Sequence, residues 1–328
     1  MSTPSPPAAP VRVCALVVTH NRAALLADAL DALDAQTRRP DAIVVLDNAS
    51  TDGATPDLLA ARAAREARLT VVRTEANTGA SGGFARGLAE VAARGPWAWV
   101  WMMDDDVRPA PDALERLLAS DAAARSDTAA VTPLKIGDDG RVQATHAGAY
   151  SLARMRIVPH APVDADAPPE ASVEVGYVSF VGVLVRGDVA ASVVPRADFF
   201  HGHDDVEWAL RLARRGRLYL VPSAVVEHRD TAASPDLRVV RGRRVRTRGY
   251  WRAYYALRNR LLIHHAHARG VDWLFGHATA VRILARGLAN TAVRYSGRDR
   301  RRRAALLLRA YADGLAGRAG RRVDPADY

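Results

Sequence analysis

Three consecutive carboxylates, Asp104-Asp105-Asp106, close a run of mostly apolar residues from Trp97 to Met103. So short an apolar run reads as a buried strand, which puts the acids together at its C-terminal edge. Massed carboxylates repel one another, and a hard divalent cation such as magnesium or manganese relieves that repulsion with oxygen ligands. A solvated acidic turn, or a helix cap ahead of Pro109 and Pro111, would use the same residues without a metal.

The preceding elements must position these acids. Val11–Val18 reads as a strand, Thr19-His20-Asn21-Arg22 as a loop, and Ala23–Gln36 as a helix with Leu25, Leu26, Ala29, Leu30 and Leu33 at helical spacing. Ala42–Leu46 is a second strand, ending in the turn formers Asp47–Gly53. A helix reaching about residue 68, a strand at Leu69–Arg73, a glycine-rich loop Asn77–Gly83 and a helix Phe84–Ala93 lead to Trp97–Met103. Strands alternating with helices imply a parallel sheet with right-handed crossovers, whose ligands bind at the C-terminal edge. Beyond the acids, Asp112–Leu118 reads as a helix and Ala129–Lys135 as a strand, while Asp138–Pro169 reads as irregular. Val173–Val185 reads as one strand, His203-Asp204-Asp205-Val206-Glu207-Trp208 opens a helix, and Leu218–Val221 and Val225–Arg229 finish the domain.

Three loops, Thr19–Arg22, Asp47–Gly53 and Asp104–Asp106, should converge on one crevice suited to a nucleotide. Asp47 can accept from a uracil N–H, Thr19 and Asn21 can reach base or ribose, and Arg22 can offset phosphate charge. The same residue types are also ordinary turn formers. Asn77–Gly83 has neither the P-loop Gly-Lys-Ser/Thr ending nor the dinucleotide fingerprint. Its glycines are expected to let backbone pass close to a donor.

In this order, Thr19–Arg22, Asp47-Asn48-Ala49-Ser50-Thr51-Asp52, Asn77-Thr78-Gly79 with Gly82-Gly83, and Asp104–Asp106 resemble family 2 inverting glycosyltransferases over about residues 11–230. The resemblance implies the GT-A fold, a Rossmann-like, mainly parallel α/β sheet, and a nucleotide-diphosphate sugar donor. It implies that Asp104 and Asp106 hold a divalent metal, manganese or magnesium, with His228 completing the shell. Asp105 would face the ribose or sugar, and Asn48, Asn77 and Gly83 would belong to the donor site. An inverting transfer needs a base for the acceptor hydroxyl. The resemblance assigns that base to Asp204-Asp205, with Asp205 as base and Asp204 orienting the acceptor; helix capping is the competing use of this pair. Trp101–Asp106 and His203–Trp208 look most like bacterial galactofuranosyltransferases of cell-wall galactan synthesis, with rhamnosyltransferases using dTDP-rhamnose close behind. Many relatives carry Gly-Glu-Asp or Trp-Asp-Asp where this chain has Gly202-His203-Asp204-Asp205.

The chain of 328 residues carries a net charge of +10, unevenly spread. Residues 1–237 hold 24 basic and 31 acidic side chains, a balance of −7, whereas residues 238–328 hold 22 arginines and 5 acids, a balance of +17. The division expected is a flexible tail over 1–10, a GT-A domain over 11–235, and a basic helical module over 236–328. In that module Arg241–Arg248, the aromatics of Tyr250–Tyr255, and amphipathic spacing at Leu274, Ile283, Leu284 and Leu288 suit an anionic membrane face. Packing on the catalytic domain ranks second and nucleic acid third. A single cysteine, Cys14, and no secretory pattern suit the cytoplasm. The absence of a long uncharged apolar run suits a peripheral protein at the inner face of the membrane. The reading is therefore transfer of galactofuranose from UDP-galactofuranose to a polyprenyl-linked glycan acceptor. A nucleotidyltransferase would need a glycine-rich segment after the first strand, which Thr19–Leu26 lacks. A non-enzymatic membrane- or nucleic-acid-binding protein leaves the acid clusters unexplained.

Overall fold

The computed structural model describes residues 11–165, 167–229, 237–240, 243–246 and 249–325, with 237–240 and 243–246 described by backbone alone. The tail 1–10, the 235/236 boundary and the side chains of the Arg241–Arg248 run lie outside the described residues.

The chain begins β1 (Val13–Thr19), α1 (Ala23–Asp34), β2 (Ala42–Asp47), α2 (Ala54–Ala63), β3 (Leu69–Arg73), α3 (Gly79–Ala93) and β4 (Trp99–Asp104). It continues β5 (Val107–Pro109), α4 (Ala113–Ala119), α5 (Asp121–Ala124), β6 (Thr128–Gly137), β7 (Ala147–Ser151), β8 (Arg156–Pro159), β9 (Val173–Val175), β10 (Tyr177–Val178) and β11 (Val183–Arg186). Then come α6 (Gly187–Ser192), α7 (Asp204–Leu212), β12 (Arg217–His228), β13 (Leu237–Val240) and β14 (Arg243–Arg246). Three helices end the chain: α8 (Trp251–His267), α9 (Gly270–Arg294) and α10 (Gly297–Leu315).

The main sheet runs β3-β2-β1-β4-β11-β6-β12-β5, with β9 also on β12. Strands β3, β2, β1 and β4 are mutually parallel, and β6 is parallel to β12. β11 runs antiparallel between β4 and β6. Every residue of β1 is buried, because helices cover both faces of the sheet. Its side chains alternate: Cys14, Leu16 and Val18 join Phe84 and Leu88 of α3, while Val13, Ala15 and Val17 join Leu26, Leu30 and Leu33 of α1. The expected mainly parallel α/β architecture is observed.

Several boundaries differ from the sequence reading. The glycine-rich segment is the first turns of α3 rather than a loop. A Cβ on Gly83 would lie 2.7 Å from Val18 Cγ1, and one on Gly87 would lie 2.6 Å from Leu16 Cδ1. These glycines bring α3 against β1 and β2, so Gly83 faces the core. Residues 138–169 contain the hairpin β7–β8, which forms a small second sheet with β10. The apolar stretch 173–185 is three strands, interrupted at Gly176 and at Gly182, which has φ +74°. Residues 217–228 form one strand with an irregularity between Val221 and Val225.

The C-terminal helices build a core of their own from Tyr250, Tyr254, Tyr255, Leu257, Leu261, Leu306 and Leu307. That core also takes in Met155 and Phe200 of the preceding domain. Tyr254 and Tyr255 are fully buried and Tyr250 nearly so, which removes these tyrosines from any membrane surface. Dense arginine obscured this, since Tyr254 and Tyr255 pack under the buried guanidinium of Arg258.

Candidate active site

Parallel pairing brings the strand ends together. Thr19 pairs with Asp47 in register, and Val18 with Asp104. Asp104 is the last residue of β4, and Asp105 and Asp106 make the turn into β5. β5 pairs antiparallel with the end of β12, which sets His228 opposite Val107. The acid run is tightly held. Thr19 Oγ1 donates to Asp105 Oδ2 at 2.7 Å, and Arg22 donates to Asp105 Oδ1 at 3.2 Å and to Asp106 Oδ2 at 2.7 Å. His228 Nε2 lies 3.6 Å from Asp106 Oδ1, while its Nδ1 meets Gln143 Oε1 at 2.7 Å. The ring of His146 packs edge-on to His228 at 4.9 Å.

Burial and mutual repulsion push these acids up. Asp104 rises well above the carboxylate range through burial first, then the charges of Asp106, Asp105 and Asp204. Asp105 rises to about 6 through burial, opposed by Arg22. His146 is pushed down to about 3, mainly by burial, and so stays neutral.

The opposite wall is the segment 199–203 with the N-terminus of α7. Phe200 and His203 take left-handed backbone, φ 67° and 62°, so the segment needs external support. α8 supplies it. Asn259 Nδ2 donates to the carbonyls of Phe199, His201 and Gly202, and Arg258 donates to those of Asp198, Phe199 and Gly320. Asp205 Oδ1 accepts from the Val206 amide at 2.8 Å and its Oδ2 from Tyr177 Oη at 2.6 Å. Asp204 keeps a buried Oδ2 with no hydrogen-bond partner. Burial, then the Asp205 charge, push Asp204 up to about 7, although nearby amides favour its ionised form. Asp205 also rises through burial, with Tyr177 and the Val206 amide opposing. Asp104, Asp204, Asp205, His146, Tyr177 and His228 line one pocket of about 360 Å³.

The remaining expected donor residues divide. Asn21 takes φ 56°, and its Oδ1 accepts from the Thr51 and Asp52 amides, tying the first two loops together. Asp47 is buried, accepting from the Ser50 amide and from Arg73. Asn48 accepts from Thr78 and donates to the Gly79 carbonyl, and Asn77 Oδ1 accepts from the Gly79 amide. Asn48 and Asn77 thus pin the start of α3. Thr19 and Arg22, expected on base, ribose or phosphate, are engaged by the acid run. The sequence reading missed His146, Gln143, Tyr177 and His201. A periodicity argument had no signal for them, because they lie in short strands and turns.

Among the described residues, no cluster of three or more His, Cys, Asp or Glu side chains is arranged to hold a metal alone. Asp106 Oδ1 is nevertheless a buried acceptor without a hydrogen-bond partner, facing His228. That pair fits a divalent cation of the kind whose shell is completed by substrate phosphates and water.

The comparisons with known proteins give the class. Residues 14–175 match the glycosyl transferase family 2 model, and the chain carries a domain of that family, with the GT-A fold. A galactofuranosyltransferase, GlfT1, of Mycolicibacterium smegmatis (strain ATCC 700084 / mc(2)155) is 34% identical over 206 residues, covering 62% of this chain and 66% of that relative. The matched segment thus spans just under two thirds of that relative's length. GalNAc-T7, solved with UDP, GalNAc and Mn2+, has a TM-score of 0.58 at 15% identity, covering 77% of this chain and 48% of its own. The mannosyltransferase PcManGT of Pyrobaculum calidifontis, solved with GDP-Man and Mn2+, has a TM-score of 0.53 at 19% identity, covering 94% and 88%.

Proposed function

We propose that this protein is an inverting glycosyltransferase that moves galactofuranose from UDP-galactofuranose onto a lipid-linked cell-envelope glycan. The observation that carries the reading is one pocket uniting the Asp104 strand end, His228, and the Asp204-Asp205 pair, in a chain similar to a galactofuranosyltransferase. Donor groups would lie along the strand ends, with Asp47 and Asn21 on the nucleoside side and Arg22 near the diphosphate. Asn48, Asn77 and Gly83 would support that site by holding α3 rather than by touching the donor.

Asp106 and His228, with Asp104 beside them, would hold a divalent metal together with the donor's diphosphate. When bound, the metal supplies positive charge that stabilises the departing nucleotide diphosphate. The acceptor hydroxyl attacks the anomeric carbon on the face opposite the nucleotide. A C–O bond forms to the acceptor, the bond to the β-phosphate oxygen breaks with its electron pair, and the hydroxyl proton passes to a carboxylate. Asp204 suits that last role better than Asp205. Asp204 lines the pocket and keeps one oxygen without a hydrogen-bond partner, and its proton affinity falls near neutrality, whereas both Asp205 oxygens are engaged. Asp205 and Tyr177 then orient the acceptor. A lipid-linked acceptor implies work as a peripheral protein at the inner membrane face. No described helix is long and apolar enough to cross a membrane.

The test is a donor screen by mass spectrometry with a synthetic polyprenyl-diphosphate glycan and manganese. Addition of one hexose from UDP-galactofuranose is expected. Transfer from dTDP-rhamnose alone would overturn the donor assignment.

A further inference from the structure

α9 is 25 residues long, yet only Gly276, Ala280 and Thr291 of it are buried. Its inner face packs on α8 and α10. Its outer face carries Val271, Leu274, Phe275, Ala278 and Val281 at intervals of three and four residues, which places them on one stripe. Val271 is 71% exposed, Leu274 64%, Phe275 57% and neighbouring Trp273 48%. Val271, Leu274 and Phe275 put three large exposed apolar side chains together on this stripe, with Trp273 off to one side, unlike the scattered singles of an ordinary surface.

We propose that this outer face docks on an anionic bilayer: the first turns of α9 insert their apolar side chains, and arginines of α9 and α10 lie on lipid phosphates. Charge selects the partner. Arg282 and Arg286 flank the stripe on α9, and Arg298, Arg300 and Arg301 are exposed at the start of α10, against only Asp272 and Asp299 as exposed acids in this region. A second copy docking through the same face would set these arginine rows against each other. An anionic lipid surface supplies both an apolar interior and negative phosphates, with Trp273 at interfacial depth. The tyrosines of α8 play no part, being buried.

The placement also suits the pocket. Thr279 Oγ1 donates to the Ala153 carbonyl at 2.8 Å, in the turn of the β7–β8 hairpin. Ile157 of that hairpin lines the active-site pocket. Docking through α9 therefore sets one wall of the pocket beside the lipid surface. The purpose of the contact rests on the lipid-linked-acceptor reading; the contact itself does not.

The test is co-sedimentation of the full chain with phosphatidylcholine vesicles, with and without phosphatidylglycerol. It compares wild type with Val271→Ser/Leu274→Ser/Phe275→Ser and, separately, with Arg282→Gln/Arg286→Gln. Wild type should bind the anionic vesicles and keep part of its binding in high salt, because inserted apolar groups are not screened. The serine variant should bind at least tenfold more weakly and be fully released by salt, with unchanged thermal unfolding and donor hydrolysis. The glutamine variant should bind less at low salt only. Serine-variant binding equal to wild type would overturn the proposal. So would light scattering that shows a wild-type dimer, abolished in the serine variant, with no vesicle binding. Failure of the donor screen alongside this vesicle pattern would refute the sugar-transfer reading and leave the docking intact.

Discussion

Asp204→Asn separates a catalytic base from a helix cap, because the two roles move stability in opposite directions. Burial and the Asp205 charge take the Asp204 carboxyl from an ordinary 3.8 to about 7. At about 1.4 kcal/mol per tenfold change in proton affinity, ionising it in place costs about 4 kcal/mol. Asp204 is only 6% exposed, so little of this is relieved by solvent. Near pH 4 the folded protein holds the proton and the unfolded chain has lost only about half of it, so the penalty is still small. Between about pH 4 and 7 the unfolded chain has released the proton while the folded protein keeps it, so stability falls as pH rises. Above pH 7 the whole penalty is present. Asparagine keeps nearly the same shape and cannot ionise. Urea unfolding should therefore show little difference near pH 4 and a variant up to about 4 kcal/mol more stable at pH 8. Turnover should fall by roughly 10²–10⁴, the span expected for loss of a general base, and wild-type turnover should rise through neutral pH. A variant less stable than wild type at pH 8 would mark Asp204 as a cap. A fully active variant would refute its role as base.

Asp106→Asn should abolish manganese-dependent binding of UDP by calorimetry, since it removes the negative charge from the buried, unpartnered acceptor facing His228; full-rate transfer in EDTA would contradict this. Asn259→Ala leaves the carbonyls of Phe199, His201 and Gly202 short of a donor, so about 1–3 kcal/mol of stability should be lost, and kcat should fall with UDP affinity unchanged. Gly79→Ala would place a Cβ 1.9 Å from the Phe200 carbonyl at φ +76°; destabilisation of at least about 2 kcal/mol by urea unfolding is expected, with impaired acceptor transfer.

The parallel half of the fold was legible because its strands are short apolar runs between turn formers, and acids mark where β2 and β4 end. The second half was less legible. Hydrophobicity continues from Val173 to Val185, so periodicity could not see that Gly176 and the Phe180–Gly182 turn break it into three strands in two sheets. The hairpin β7–β8 is built of short strands without clear alternation and is half-exposed, which is how a loop reads, yet its Ile157 lines the pocket. The glycine cluster 79–83 has the composition of a flexible loop. Contact requires glycine instead at Gly83, and again at Gly87 one turn on: β1 and β2 lie too close to α3 for side chains there.

In the C-terminal quarter a charge of +17 marked a basic helical module without showing how its side chains divide between the interior and the surface. Charge counts say how many arginines a segment has, but not which way each one faces. Arg258 is fully buried, stacked on Tyr254 and Tyr255, and its N–H groups serve the carbonyls of residues that lead into α7. Asn259 beside it does the same for the two residues before His203. Two left-handed residues, Phe200 and His203, hold a conformation that their own sequence does not favour, and α8 supplies the bonds that keep them there. The position of Asp204 and Asp205 therefore depends on the C-terminal helices. One pole of the site comes from strand ends that any parallel sheet would provide, and the other from a loop that folds correctly only against α8. The basic quarter is thus structural on its inner face, where Arg258 is buried, while α9 and the start of α10 present arginines and apolar side chains outward.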